Sequence, residues 1–277
     1  MNQTFPFEVT VDGDIFNINW NGISSSVSPK DVAHTSPDKA FVLATQLNSS
    51  AELIKNIEIV PHKRGFFKPN YTVVPPSPTP TTEDEVASSI ISDANLAPRI
   101  SAYLEEIVGR DFRLHTPPGT STAFFLTTEK KSRTPSLLVN DGYGVNQVVY
   151  LLAKILHTAS NTILIEEPEI HLHPTLLRSF TRQLCNIIRD EKKQLIFTTH
   201  SEQVIASLLT LVAEGRLTPD DVHVYFAEKP SRETRLRHQS VNKHGQLDGG
   251  LVSFVDAELP PGRAFDRCAG SGKLPGP

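Results

Sequence analysis

The sequence predicts an α/β fold: a mostly parallel sheet flanked by helices, with an antiparallel hairpin at its N-terminal end and a helical insertion lobe. Three observations carry this. From about residue 137 onward, helical apolar stripes alternate with short β-branched runs, the pattern of crossover units in a parallel sheet. The first twenty residues alternate apolar and polar positions on either side of Asp12-Gly13, the pattern of a hairpin. Between these regions lies Pro75-Pro76-Ser77-Pro78-Thr79-Pro80-Thr81-Thr82, which has little to bury and several fixed φ angles and so marks a connector.

Taken in order, Phe7, Val9 and Val11 form the first strand, and Ile15, Phe16, Ile18 and Trp20 the second, running to Asn21-Gly22. Residues 1–75 make the β-rich beginning of the core. Glu83-Asp84-Glu85 extends the exposed connector. Residues 76–136 hold the connector and the insertion lobe, with a helical pattern at Ile100, Tyr103, Leu104 and Ile107 and a strand-like Phe124-Phe125-Leu126. Residues 137–258 are the main core. There Val148, Val149, Leu152, Ile155 and Leu156 make a helical stripe, and Thr162-Ile163-Leu164-Ile165 a buried strand. Leu176, Leu177, Phe180, Leu184, Ile187 and Ile188 predict the next helix, ended before Asp190-Glu191-Lys192-Lys193, with Cys185 on its apolar side. Leu195-Ile196-Phe197 is the next strand, a helix from Glu202 to Glu214 stops at Gly215, and Val222 to Phe226 adds a third strand. Residues 259–277 read as a flexible tail.

Composition narrows the function classes. A chain of 277 residues can bury one sizeable core, or one core with a smaller lobe. Its hydrophobic fraction of 38% and charged fraction of 21% are ordinary for a globular protein. No apolar run approaches a membrane span, and the N-terminus lacks the basic flank and apolar stretch of a signal peptide. Two cysteines, Cys185 and Cys268, form no disulfide framework, which fits a cytoplasmic location. The net charge of −4 gives no basic footprint for nucleic acid, although small local patches stay open.

Ligands of open α/β sheets bind at the carboxyl ends of the strands, and two strand ends carry chemistry. One runs into Glu166-Glu167-Pro168-Glu169, the other into Thr198-Thr199-His200-Ser201. If these strands are neighbours, paired carboxylates and a histidine converge on one rim. Phosphoryl transfer to water needs such a set: a carboxylate for Mg²⁺, a second to position water, and a group that senses the γ-phosphate. His171 and His173 form a pair without a third metal ligand, Gly142 and Gly144 by themselves mark a turn, and Lys63-Arg64 reads as a solvated pair.

Ile163-Leu164-Ile165-Glu166-Glu167-Pro168 resembles a Walker B motif, with Glu166 in the aspartate position and Glu167 in that of the catalytic glutamate. Glu169 through Pro174 is similar to a D-loop, with His173 where aspartate is commonest, and His200 falls on the switch histidine. Asn140-Asp141-Gly142-Tyr143-Gly144-Val145-Asn146-Gln147 resembles the degenerate signature loop that opens a helix and offers backbone amides to a γ-phosphate. The order of these motifs resembles an ATP-binding-cassette-type head of the P-loop NTPase fold. The Glu-Glu-Pro-Glu and His-Leu-His-Pro details, Pro61-His62-Lys63-Arg64-Gly65, Leu217 to Val222 and Gly245 to Asp248 are further similar to the prokaryotic overcoming-lysogenization-defect ATPases and their recombination and SMC-like relatives. This resemblance implies ATP and Mg²⁺ as cofactors, with the metal on Glu166, water positioned by Glu167 and the γ-phosphate sensed by His200. It implies nucleotide contacts from Gly142, Gly144, Asn146, Gln147 and His173. The implied partner is a second ATPase head, identical or paired, with DNA or a nuclease partner by family analogy and no membrane.

One motif departs from the family. The sequence contains no Gly-x-x-x-x-Gly-Lys-[Ser/Thr], the loop whose amides and lysine cradle phosphates. Gly270-Ser271-Gly272-Lys273 does not replace it, since Leu274-Pro275 follows where a helix must begin. The chain therefore looks as if it starts after that loop. Two readings follow: a head that hydrolyses ATP between two subunits, or a truncated or degenerate head that serves as a regulatory or binding module. On the first, Gly144 and Asn146 are expected to matter for the dimer and little for the fold.

Overall fold

In the computed structural model, the structure describes residues 5–11, 14–20, 25–29, 41, 42, 45, 57–77, 80–229 and 233–250. The chain divides into two compact units, Met1–His200 and Ser201–Pro277. The tail beyond residue 250, with Cys268 and Gly270 to Lys273, lies outside the described residues.

In the first unit, β1 (Phe5–Val11), β2 (Asp14–Trp20) and β3 (Ser25–Pro29) form an antiparallel sheet in that order. Val11 pairs with Asp14, so the first two strands make the expected hairpin. The parallel sheet comprises β4 (Ile57–Val60), β9 (Thr162–Glu166) and β10 (Gln194–Thr198), with β9 in the centre. Its strands are in register across three rows: Glu58, Ile163 and Leu195; Ile59, Leu164 and Ile196; Val60, Ile165 and Phe197. The first and third rows face the core. The middle row faces outward, leaving Ile59 63% and Ile196 50% exposed.

Residues 76–136 combine helices and strands. The segment Glu83-Asp84-Glu85 does not belong to the connector but is the first turn of α1 (Glu83–Ser92). Thr82 accepts from the Glu85 N–H while the Glu85 carboxylate accepts from the Thr82 N–H, a capping box that satisfies two orphan donors. The backbone N–H groups of Thr82 and Thr81 hold the Glu85 carboxyl down to about 2. The connector is exposed at Pro75, Pro76, Thr81 and Thr82, as expected, but it is pinned at one point. Pro80 is buried, its carbonyl accepts from Lys154, and the Thr81 carbonyl accepts from Tyr150. After α1 comes α2 (Leu96–Val108), which buries Leu96, Ile100, Leu104 and Ile107. An antiparallel sheet follows, in which β7 (Thr122–Glu129) pairs with β5 (Tyr71–Thr72), β6 (Arg110–His115) and β8 (Pro135–Leu137).

Helix α3 (Tyr143–His157) is buried on all sides from Asn146 to Leu156, as befits a helix apolar nearly all round. It forms one core with α1, α2, the parallel sheet and α4 (Pro174–Asp190). Cys185 on α4 is partly buried, and desolvation pushes its thiol up to about 11. A buried ion pair ties the sheet to α3. Glu58 of β4 and Lys154 of α3, each 3% exposed, are in contact, and Thr158 donates to the second Glu58 oxygen at 3.3 Å.

The second unit has α5 (Glu202–Ala213), capped by Ser201 and ended where Gly215 takes a φ of +70°. The predicted third strand appears as β11 (Val224–Glu228). It pairs antiparallel with β12 (Arg235–Gln239), because the next strand lies close in sequence and a short connection favours an antiparallel partner. Ile205, Leu209 and Leu247 form a small core there. No helix among the described residues is long and apolar enough to cross a membrane.

Candidate functional site

All three parallel strands release their chains at the same rim. Thr198 pairs with Glu166 and Val60 with Ile165, so the residues following β4, β9 and β10 meet there. Glu166, the last residue of β9, is exposed, with one carboxylate oxygen 3.6 Å from Nδ1 of His62 after β4. Glu167 turns away from the strand with a φ of +43°, a conformation uncommon for a residue with a β-carbon. Its N–H donates to the Thr198 carbonyl at 3.0 Å, and its carboxylate lies 3.5 Å from Nε2 of His200 after β10. The structure thus brings Glu166, Glu167 and His200 together. The Glu169 carboxylate accepts from Thr199, and its other oxygen is buried without a hydrogen-bond partner.

Beneath this turn lies Arg64. The expectation of a solvated Lys63-Arg64 pair fails, since Arg64 is only 1% exposed. Its Nη1 donates to the Glu166 carbonyl at 2.7 Å and its Nη2 to the Glu167 carbonyl at 2.5 Å. Burial lowers its pKa, opposed by the nearby charges of Glu169 and Glu167, and a guanidinium remains a cation at neutral pH throughout. His62 and Arg64 were absent from the sequence-derived site. Their signal was available: Ile57-Glu58-Ile59-Val60 is a short β-branched run that empties into Pro61-His62-Lys63-Arg64, as β9 empties into its glutamates.

The remaining candidates serve packing as well. Gly142 caps α3 from an open position, where an added β-carbon would meet no atom within 4 Å. At Gly144 a β-carbon would lie 2.6 Å from the His171 carbonyl oxygen, so the helix start and the turn after Glu169 touch through the missing side chain. Asn146, 4% exposed, donates to the Phe66 carbonyl and accepts from the Phe66 N–H, both at 2.6 Å. Gln147 is 3% exposed. The expectation that Gly144 and Asn146 matter little for the fold is therefore corrected: both are internal contacts of the chain. His173 caps α4 through Nδ1, which lies 2.8 Å from the Thr175 hydroxyl. Gly144→Ala should lower stability by about 1–3 kcal/mol, and Gly142→Ala should stay within about 0.5 kcal/mol of the parent. Urea unfolding midpoints of the two variants check this.

Asp141 anchors the same loop to the antiparallel sheet. It accepts from Thr127, from Ser136 at 2.7 Å and from Arg110 at 3.0 Å. Outside it, Phe67 and Tyr143 stack at 5.7 Å, and Tyr143 meets His171 edge-on at 4.5 Å.

Among the described residues, no group of three or more His, Cys, Asp or Glu side chains is arranged to hold a metal. That excludes a ready-made protein cage there, but it fits Mg²⁺, which characteristically takes one or two carboxylates and completes its shell with water and substrate phosphate. Glu166, exposed at the rim, offers a carboxylate of that kind.

The family model of the AAA ATPase domain matches residues 30–205. The OLD nuclease of Thermus scotoductus (strain ATCC 700910 / SA-01) is 48% identical over 40 residues, which are 14% of this chain and 8% of that protein. Among solved structures, an SMC ATPase is similar at 9% identity and a TM-score of 0.45, over 58% of this chain and 89% of that one. The SMC head domain from Thermotoga maritima is similar at 9% identity and a TM-score of 0.42, over 84% of this chain and 73% of that one.

Proposed function

The chain belongs to the AAA ATPase domain family, and from that premise we propose that its carboxylate rim is the metal- and water-handling half of an ATP-hydrolysing site. The observation that carries this reading is the convergence of Glu166, Glu167 and His200 at the ends of adjacent parallel strands. Glu166 holds Mg²⁺, which when bound neutralises phosphate charge. Glu167 faces the attacking water and accepts its proton, its carboxylate steadied by His200. His200, otherwise exposed, contacts the γ-phosphate.

The phosphate cradle comes from outside these 277 residues, from a covalently joined segment or a paired subunit. Two observations support this. The sequence holds no Gly-x-x-x-x-Gly-Lys-[Ser/Thr], and among the described residues Ile59 and Ile196, on one face of the parallel sheet, are 63% and 50% exposed, whereas such sheets are ordinarily covered on both faces. The start of α3, with exposed Gly142, faces a second head and offers its amides to the nucleotide held there. The missing loop also favours a second reading, a non-hydrolysing head that acts as a regulatory module.

The first of two measurements tests the placement of the cradle, and the second separates the two readings. Calorimetric titration of the chain alone with Mg·ATP should give binding weaker than the low micromolar range, and a low-micromolar Kd overturns the placement of the cradle. The head completed with a phosphate loop should show Mg²⁺-dependent turnover. If it binds Mg·ATP and shows none, the regulatory reading replaces the enzymatic one.

A further inference from the structure

We propose that Arg64 is a positioning residue, which sets the conformation of the Glu166–Glu167 turn and thereby aims the Glu167 carboxylate at its place beside His200. Its functional meaning rests on the ATPase reading; its geometry does not. Arg64 is among the largest fully buried side chains of the protein, and a buried arginine is ordinarily matched to a carboxylate. Here both terminal nitrogens donate to consecutive main-chain carbonyls instead. Such a bidentate grip fixes the orientation of two peptide planes and leaves the carboxylates of Glu166 and Glu167 free for other partners.

The turn needs an external hold for two reasons. Glu167 sits at a φ of +43°, a strained conformation that persists only when its surroundings over-determine it. Glu166, Glu167 and Glu169 also place three carboxylates within four residues, and each of them acts electrostatically on the Arg64 cation. The main-chain bonds of the turn include Glu167 N–H to the Thr198 carbonyl, Ile170 N–H to the Glu167 carbonyl and Leu172 N–H to the Glu169 carbonyl. None of these three reaches the Glu166 carbonyl. Arg64 is itself fixed from behind, because Phe66, two residues on, is clamped by Asn146 at both its N–H and its carbonyl.

The test uses the full chain without nucleotide. Arg64→Met keeps much of the buried volume and removes the donors. Loss of the grip should speed amide exchange at Glu167 and Ile170 by about tenfold or more, the equivalent of one hydrogen bond to a charged donor, while α3 and α4 stay protected. The side-chain NMR signal of His200, assigned by its loss in His200→Gln, should move toward its position in Glu167→Ala. Arg64→Lys, which cannot span both carbonyls, should fall between parent and Arg64→Met. In Arg64→Ala, added guanidinium chloride should restore the His200 signal and sodium chloride should not. Parental exchange together with a parental His200 signal in Arg64→Met overturns the proposal. If Arg64→Ala does not fold, the Met and Lys variants decide the matter. Failure of ATP hydrolysis in the completed head would leave these readouts unchanged, so the two readings fail separately.

Discussion

Replacing Glu167 with glutamine in the head completed by a phosphate loop should lower ATP turnover by roughly 10²–10⁴-fold and leave nucleotide binding intact. The amide preserves the shape of the side chain, so the turn held by Thr198 and Arg64 keeps its course. It cannot take up a proton from water. On the proposed reading Glu166 still holds the metal, so closed dimers with trapped ATP should accumulate. Steady-state hydrolysis together with light scattering measures both effects. Turnover at the parental rate would remove Glu167 from the role of base and shift attention to Glu169, whose second carboxylate oxygen is buried without a partner.

Lys154→Met should cost about 3–5 kcal/mol of stability, because it leaves the Glu58 carboxylate charged and buried without its partner. Lys154 donates to Glu58 and to the Pro80 carbonyl, so a single ammonium joins β4, α3 and the connector. Removing both charges should cost much less: Glu58→Leu with Lys154→Met should recover most of the loss, since no uncompensated ion remains. Denaturant unfolding of the two single variants and the double variant tests this. If the single variant unfolds at the parental midpoint, the pair is not the buried contact described above.

These two residues also show where the sequence stopped being legible. Strands β9 and β10 and helices α3 and α4 were readable because each repeats its apolar residues at its own period over enough positions. The glutamates and His200 were readable because they stand directly after such strands. Strand β4 was missed. It has four residues, and Glu58 points into the core although glutamate usually marks the solvent side. Its partner lies 96 positions away. Arg64 was misread for a related reason: its partners are main-chain carbonyls 102 and 103 positions away, and carbonyls carry no sequence signature. The close approach at Gly144 depends on a backbone oxygen as well, that of His171. Thr82-x-x-Glu85 was a local helix-start signal hidden by the prolines before it.

The parallel sheet closes two loops of very different length. Strands β9 and β10 pair Thr162 with Gln194 across a single helix, whereas β4 and β9 pair Ile57 with Thr162 across α1, α2, α3 and the antiparallel sheet. Contacts between distant residues form slowly because the entropy of the intervening chain must be lost before the contact rewards it. Loop-closure entropy therefore predicts that folding brings the glutamates and His200 together early, in a compact strand-helix-strand unit. Strand β4, carrying Glu58 and followed by Arg64, is expected to dock late, so that until that closure the acids lack the cation that orders them.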